Sequence, residues 1–388
     1  MFVFFFLFSI SILPRVDQLD LVFVFGFFLL LLEALKRRTI VYNNIFAMMA
    51  SLILFIMPFS ILSFLNYGDY FGFIRLLKLI LLFLIVPSAF LVVGENTTFK
   101  IMPLFLLIMI LILYFEYFNI FGARSIVGGI NDLLFVGRDV SFRAKGLFAG
   151  YSAAGVSCGF IAIFSFYFTL KRKISSSVGW PLFFLAFFAT FFTGRTGIFI
   201  AILGVLSFSI LECHRVFSAK IIGIFGGVIL LIITVLFYYW DSLDFTVIEI
   251  TFIRTFELFL NYQNHGDFSS ESSTQLAKTF GLPSEFFDIF FGNGLKPWSE
   301  LSIHLGAHQT DSGLFQTVFL YGVFGFVIYY MPIIYIYFCF FKQRKDNVYR
   351  NYVLIIIPLA FIAEVKGHYI YSSLIFVLLF LPVFFRRA

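Results

Sequence analysis

Between His304 and Gly325 the chain reads HLGAHQTDSGLFQTVFLYGVFG, two histidines and an aspartate leading straight into a long apolar segment. Neutral imidazole accepts a proton from a hydroxyl near neutral pH, so a histidine placed here suits general-base chemistry. His308 precedes the apolar segment by only a few residues. That is the depth of lipid headgroups if the segment crosses a bilayer. Asp311 follows three residues on, and a helical first turn would set both side chains on one face. There it can orient the imidazole or a substrate; equally, Asp311 or Ser312 before Leu314 is an ordinary helix N-terminal cap. For His308 the alternative is a structural role at the membrane interface. His304, His265 and His214 read as structural. His304 and His308 have the i,i+4 spacing of a metal pair, but HExxH is absent and Gly306 between them disfavours a helix, so no metal site is expected.

A second set of residues is cationic. Arg124, Arg138, Arg143 and Lys145 lie between Phe121 and Gly146, Arg195 sits in TGRTG between two apolar runs, and Arg254 comes early in a long polar stretch. Charge near membrane depth is costly and is a functional hypothesis by default. The guanidinium fork matches phosphate oxygens, so such a cluster suits a lipid-linked phosphate or pyrophosphate. The alternative is pairing with Asp132, Asp139 or the acidic long stretch, or snorkelling to headgroups. That alternative weighs most on Arg124 and Arg138, whereas glycines pin Arg195 between its two runs. No P-loop and no GxSxG elbow occurs, and FGNG at Phe291–Gly294 reads as a turn.

The elements that must hold these residues follow from composition. The 388 residues are 61% hydrophobic, 22% aromatic and 12% charged, with 62 Phe. A soluble domain carries about 25% charged residues, so bilayer is the expected solvent. Backbone polar groups in lipid must be satisfied within each segment, which favours helices, and the continuous rather than alternating apolar runs disfavour a barrel. About twelve helices are expected from runs near the ~20 residues that span a bilayer. They are Phe2–Leu13, Leu21–Leu35, Thr39–Phe64, Gly72–Val93, Ile101–Phe121, Leu147–Leu170, Trp180–Phe192, Gly197–Leu211, Ile221–Trp240, Ser312–Phe341, Tyr352–Val365 and Tyr369–Phe385. Met1–Leu13 lacks a basic n-region and a small-residue cleavage site, so it reads as a short first span. Cys158, Cys213 and Cys339 are far apart and imply no disulfide framework.

Alternate short loops hold Lys36-Arg37-Arg38, Lys100, Lys171-Arg172-Lys173, Arg215 with Lys220, Lys342/Arg344/Lys345/Arg350 and Arg386-Arg387, more than half of the 27 basic residues. Positive loops stay inside, so both termini are expected in the cytoplasm. The net charge of +6 sits between spans and gives no reason to expect nucleic acid. The expected fold is an all-α polytopic membrane protein, residues 1–388 forming one integral membrane domain. It has one large loop, 241–311, between helices 9 and 10 on the outer side. In that loop acidic residues outnumber basic ones by ten to three. A loop of this length usually carries function.

Four motifs then fall in order: RAKGLFAGYSAAG (Arg143–Gly155), TGRTG (Thr193–Gly197), FGNG, and AHQTDSGLFQTVFLYGVFG (Ala307–Gly325), with Arg254 in the loop between the second and third. Together they resemble the O-antigen polymerase and O-antigen ligase superfamily of bacterial inner membranes, over roughly half the chain. The family's turn often reads Ser-Arg where this chain has Gly194-Arg195, and Pro-Asn is common where Ser152-Ala153 stands. The resemblance implies a polymerase of lipopolysaccharide O-antigen, multi-pass in the inner membrane and acting on its periplasmic face. Its donor would be a glycan on undecaprenyl pyrophosphate and its acceptor a sugar hydroxyl of another lipid-linked unit. Arg195 and Arg254 would stabilise the leaving pyrophosphate and His308 would act as base, with Arg138, Arg143, Lys145 and Asp311 as the substrate-binding residues. No metal, nucleotide or other cofactor is implied. The expected partners are the lipid-linked oligosaccharide, membrane lipid, a chain-length regulator and a flippase. A ligase transferring glycan to lipid A–core uses similar chemistry and stays open beside it. A flippase would instead set its polar groups near the midplane on broken helices.

Overall fold

The computed structural model describes residues 1–11, 21–37, 42, 44–67, 69–127, 143–148, 150–212, 253, 257–266, 274, 280–283, 285–295, 310–342 and 348–385. Among the described residues there is no strand. The helices in chain order are α1 (Phe2–Ser11), α2 (Leu21–Arg37), α3 (Asn44–Ile53), α4 (Met57–Tyr67), α5 (Phe71–Val93), α6 (Glu95–Tyr117), α7 (Tyr151–Leu170), α8 (Ser176–Ala189), α9 (Arg195–Leu211), α10 (Glu257–His265), α11 (Phe286–Phe291), α12 (Gly313–Phe341), α13 (Val348–Lys366) and α14 (Ser373–Phe384). Of these, α5, α6, α7, α12 and α13 are long and apolar enough to cross a membrane, and α3, α8, α9 and α14 are shorter apolar helices. The expected span Ile221–Trp240 and much of the stretch 241–311 lie outside the described residues.

The centre of the bundle is α7, with 94% of its apolar window buried. It packs on α8 and α9, while α9 meets α13 and α13 meets α12. Lipid tails are as apolar as Phe, so these helices gain nothing from water exclusion and must gain from close packing. Glycine makes that approach possible. A Cβ on Gly197 of α9 would stand 2.0 Å from the Gly155 carbonyl oxygen of α7, and one on Gly159 would stand 2.6 Å from the Gly197 oxygen. The motifs AGYSAAG and TGRTG are therefore the two halves of one backbone-to-backbone contact. Elsewhere aromatic rings fill the space: Phe384 of α14 lies 5.3 Å from Phe46 of α3 and 5.2 Å from Phe90 of α5, which is 5.2 Å from Phe6 of α1. Offset and edge-on ring pairs of this kind supply dispersion that lipid does not match.

Two expected helices are divided. Thr39–Phe64 becomes α3 and α4, separated by a turn at Leu54–Ile56. Pro58 has no N–H for the Leu54 carbonyl, which accepts from Met57 N at 3.2 Å instead. Ser312–Phe341 is found as α12 but is broken at Gly322, where φ is 66° and ψ −177°. The carbonyls of Phe319 and Leu320 then accept the N–H groups of Asn293 (2.9 Å) and Gly294 (3.1 Å). FGNG is thus a chain segment laid along a broken helix, satisfying the carbonyls that the break exposes.

The bundle has two polar ends. At one, Lys173 pairs with Glu95 at 2.6 Å, Tyr349 also bonds Glu95, and Lys171 pairs with Glu212. At the other, α6 ends, α7, α9 and α12 begin, and α13 turns into α14; Arg195 lies here. Gly197→Val should lower the thermal stability of the purified protein by about 1–3 kcal/mol or prevent folding. Gly150→Ala is the control, because a Cβ there meets nothing within 4 Å. Equal melting of both variants would mean that α7 and α9 have room to separate.

Candidate functional site

The Arg195 end is built on helix starts. Gly150 precedes α7 and Gly194 precedes α9, and neither start carries a side-chain cap. First-turn N–H groups and the macrodipole make such starts electropositive and receptive to anions. Because a Cβ on Gly155 would lie 2.6 Å from Gly194, the two starts stand side by side. Arg195 is the first residue of α9, so its charge adds to the same region.

The Nη1 of Arg195 lies 2.5 Å from Oε2 of Glu257, and both side chains are partly exposed. Glu257 opens α10, within the long acidic stretch. The pairing alternative left open by the sequence is therefore present for Arg195.

Arg143 and Lys145 part company. Ala144 N donates to the Phe192 carbonyl at 3.1 Å, tying this strip of chain to the turn before Arg195. The N–H groups of Lys145 and Gly146 donate to the Glu116 carboxylate at 3.3 and 2.5 Å. Lys145 is buried, and it and Arg124 lie within electrostatic reach of Glu116. Lys145 thus acts here as countercharge to a buried carboxylate. Arg124 Nη2 also donates to the Arg143 carbonyl at 3.0 Å. Half-buried Arg143 lies instead, like Arg195, within electrostatic reach of Lys366.

Asp311 does not cap α12. The helix starts after Ser312 with no side-chain cap bond, and the buried Ser312 hydroxyl has no partner among the described residues. Thr310 takes the local polar role: its hydroxyl accepts Ser312 N–H at 3.2 Å and its carbonyl accepts Gln316 Nε2 at 2.9 Å. Asp311 itself is exposed, and its charge reaches Lys366 and Tyr369. The start of α12 abuts the turn after α13, since a Cβ on Gly313 would lie 2.7 Å from the Gly367 oxygen. Tyr369 from that turn bonds Ser152 at 2.6 Å, joining it to the start of α7. Burial pushes the Tyr369 phenol up, against the opposing hydrogen bond from Ser152.

One end of the bundle therefore gathers Arg143, Arg195, Asp311, Ser152, Tyr369 and Lys366. Lys366 lies in EVKGHY and was missed from sequence, although the argument that picked out other outward cations applies to it equally. His308, Arg254 and Arg138 lie outside the described residues. Among the described residues, no three His, Cys, Asp or Glu side chains converge to hold a metal ion.

A partly exposed ion pair contributes about 0–1 kcal/mol. Arg195→Ala and Glu257→Ala should each shift unfolding by no more than about that amount, with the double variant no worse than the sum. A loss of several kcal/mol from Arg195→Ala alone would make Arg195 a structural residue. Comparison of the chain with models of protein families, with curated proteins and with solved structures returns no match.

Proposed function

We propose that the protein is a bacterial inner-membrane O-antigen polymerase, with about twelve spans, both termini in the cytoplasm, and the Arg195 end facing the periplasm. One observation carries this reading: two uncapped helix starts meet beside Arg143 and Arg195 at one end of an apolar helical bundle. Such an end is suited to a multiply charged anion attached to a membrane lipid. The basic loop Lys171-Arg172-Lys173 at the opposite end supports the orientation. A flippase would be expected to concentrate its charges at the midplane rather than at one end.

The reaction is transfer of the glycan of one undecaprenyl-pyrophosphate-linked unit to a sugar hydroxyl of another. The hydroxyl oxygen attacks the anomeric carbon, and the bond from that carbon to the pyrophosphate oxygen breaks. The electron pair leaves with the lipid pyrophosphate, and the hydroxyl proton passes to His308. Arg195 and Arg254 stabilise the negative charge that grows on the leaving group, while Arg138, Arg143 and Asp311 orient the two substrates. Lipid pyrophosphate is already an activated leaving group, so the step needs neither metal nor nucleotide. A chain-length regulator and the flippase that delivers the units are the expected protein partners.

His308→Ala and Arg195→Ala should leave protein levels intact while removing long glycan ladders, so that lipopolysaccharide carries single units. Turnover should fall about 100-fold or more for loss of a charge-stabilising donor. Arg195→Lys should also lose most activity if both prongs of the guanidinium are used. Normal ladders from the two alanine variants would refute these roles. Disappearance of the single-unit band as well would point to a ligase or flippase.

A further inference from the structure

Within the long acidic stretch, the run FFDIFF forms α11, and its aromatic rings divide between two directions. The second pair faces the bundle. Phe291 stacks on Phe59 of α4 at 4.9 Å, and Phe290 and Phe291 lie 5.6 and 5.8 Å from Phe324 of α12. The first pair faces outward: Phe286 and Phe287 are 78% and 59% exposed, with exposed Leu282 just before them in the chain. These outward rings are backed by the inward ones. Phe286 lies 4.9 Å from Phe290 and Phe287 lies 4.8 Å from Phe291, the i,i+4 contacts of a helix.

The backbone that follows α11 fixes its level on the bundle. Asn293 and Gly294 donate to the carbonyls freed at the Gly322 break, and a Cβ on Gly322 would stand 2.1 Å from the Phe290 oxygen. A Cβ on Gly72, in the first turn of α5, would stand 3.2 Å from the Gly294 oxygen. Beyond the break, residues 322–341 are about 30 Å of helix at about 1.5 Å per residue, the thickness of a hydrocarbon core. Their far end leads into the basic stretch 342–350. Gly322 and α11 therefore lie at the opposite edge of the hydrocarbon. Along the same helix Phe324, Val327, Met331, Ile334 and Phe338 are exposed at three- and four-residue spacing, one apolar stripe. Through Phe290, Phe291 and Phe324, the rings of Phe286 and Phe287 continue that stripe.

We propose that α11 is an interfacial anchor, with Phe286 and Phe287 inserted among the acyl chains of the bilayer leaflet at that end of the span. The inference goes beyond the reaction proposed above and rests only on the bundle lying in a membrane. A contiguous exposed apolar surface marks a binding face, and this one extends a face that lipid already covers. The charged residues here, Glu285 and Asp288, are both acidic. Attraction to anionic headgroups therefore contributes nothing, and the contact is apolar. The long stretch 241–311, expected to lie outside the bilayer, then has one part held in it.

The test places a nitroxide on Phe286→Cys in the full chain, in a Cys158→Ala, Cys213→Ala, Cys339→Ala background, with one chain per phosphatidylcholine nanodisc. Collisions with oxygen, which concentrates in lipid, are compared with collisions with a water-soluble nickel chelate. Val327→Cys on the apolar stripe and Tyr262→Cys, exposed on α10, are the two references. The label on Phe286→Cys should match that on Val327→Cys: open to oxygen, and several-fold less open to nickel than the label on Tyr262→Cys. High salt should leave the ratio unchanged, because no ion pair holds the contact. Phe287→Cys replaces Phe286→Cys if thermal melts show misfolding. Nickel access equal to that of Tyr262→Cys would overturn the anchor, since the rings would then face water. Protection from both probes would overturn it as well, since residues of the chain itself would then cover the rings.

Discussion

Everything at the Arg195 end depends on the backbone contact between α7 and α9. Gly155 and Gly159 on α7 and Gly197 on α9 leave no room for a single methyl group. That closeness has an electrostatic consequence as well as a packing one. It brings two helix starts together, and a helix start is a fixed partial positive charge. The same contact sets Arg195 at the first position of α9, where its guanidinium leaves the bundle toward the long acidic stretch. A residue with a side chain at Gly155, Gly159 or Gly197 would spread the helices and dilute the positive potential together.

Charge elsewhere in the bundle is compensated locally. Glu116 is met by two N–H groups and lies beside Lys145 and Arg124; Glu364 is met by two N–H groups and a tyrosine, with Arg75 in reach. At the far end, Glu95 and Glu212 each hold a lysine. At the Arg195 end, Arg195 in turn pairs with Glu257.

Much of the fold was legible because long apolar runs leave a chain in lipid few options. Phe71–Val93, Tyr151–Leu170 and Arg195–Leu211 fall within a few residues of expectation. The divisions at Pro58 and Gly322 were not seen, since apolar periodicity continues through both and only the backbone hydrogen bonds reveal them. The site was partly legible. Arg143, Arg195 and Asp311 were picked out from the energetic oddity of charge near a membrane, and the structure brings all three to one end. Lys145, expected to meet substrate, lies beside Glu116, a pairing across 29 residues that spacing cannot reveal. Asp311 lost its capping role because Thr310 binds the local N–H. Lys366 falls between the expected helices Tyr352–Val365 and Tyr369–Phe385, and its place at the Arg195 end follows from a turn held by Glu364, which is a tertiary fact.

The central claim is that this end of the bundle joins lipid-linked glycans by expelling a lipid pyrophosphate. Its most direct test is the purified chain in proteoliposomes with lipid-linked repeat units as the sole substrate, in the presence of a chelator. The predicted result is lipid-linked glycan that lengthens unit by unit, with one undecaprenyl pyrophosphate released for each linkage formed. Unchanged repeat units, or transfer seen only when lipid A–core is added, would contradict it.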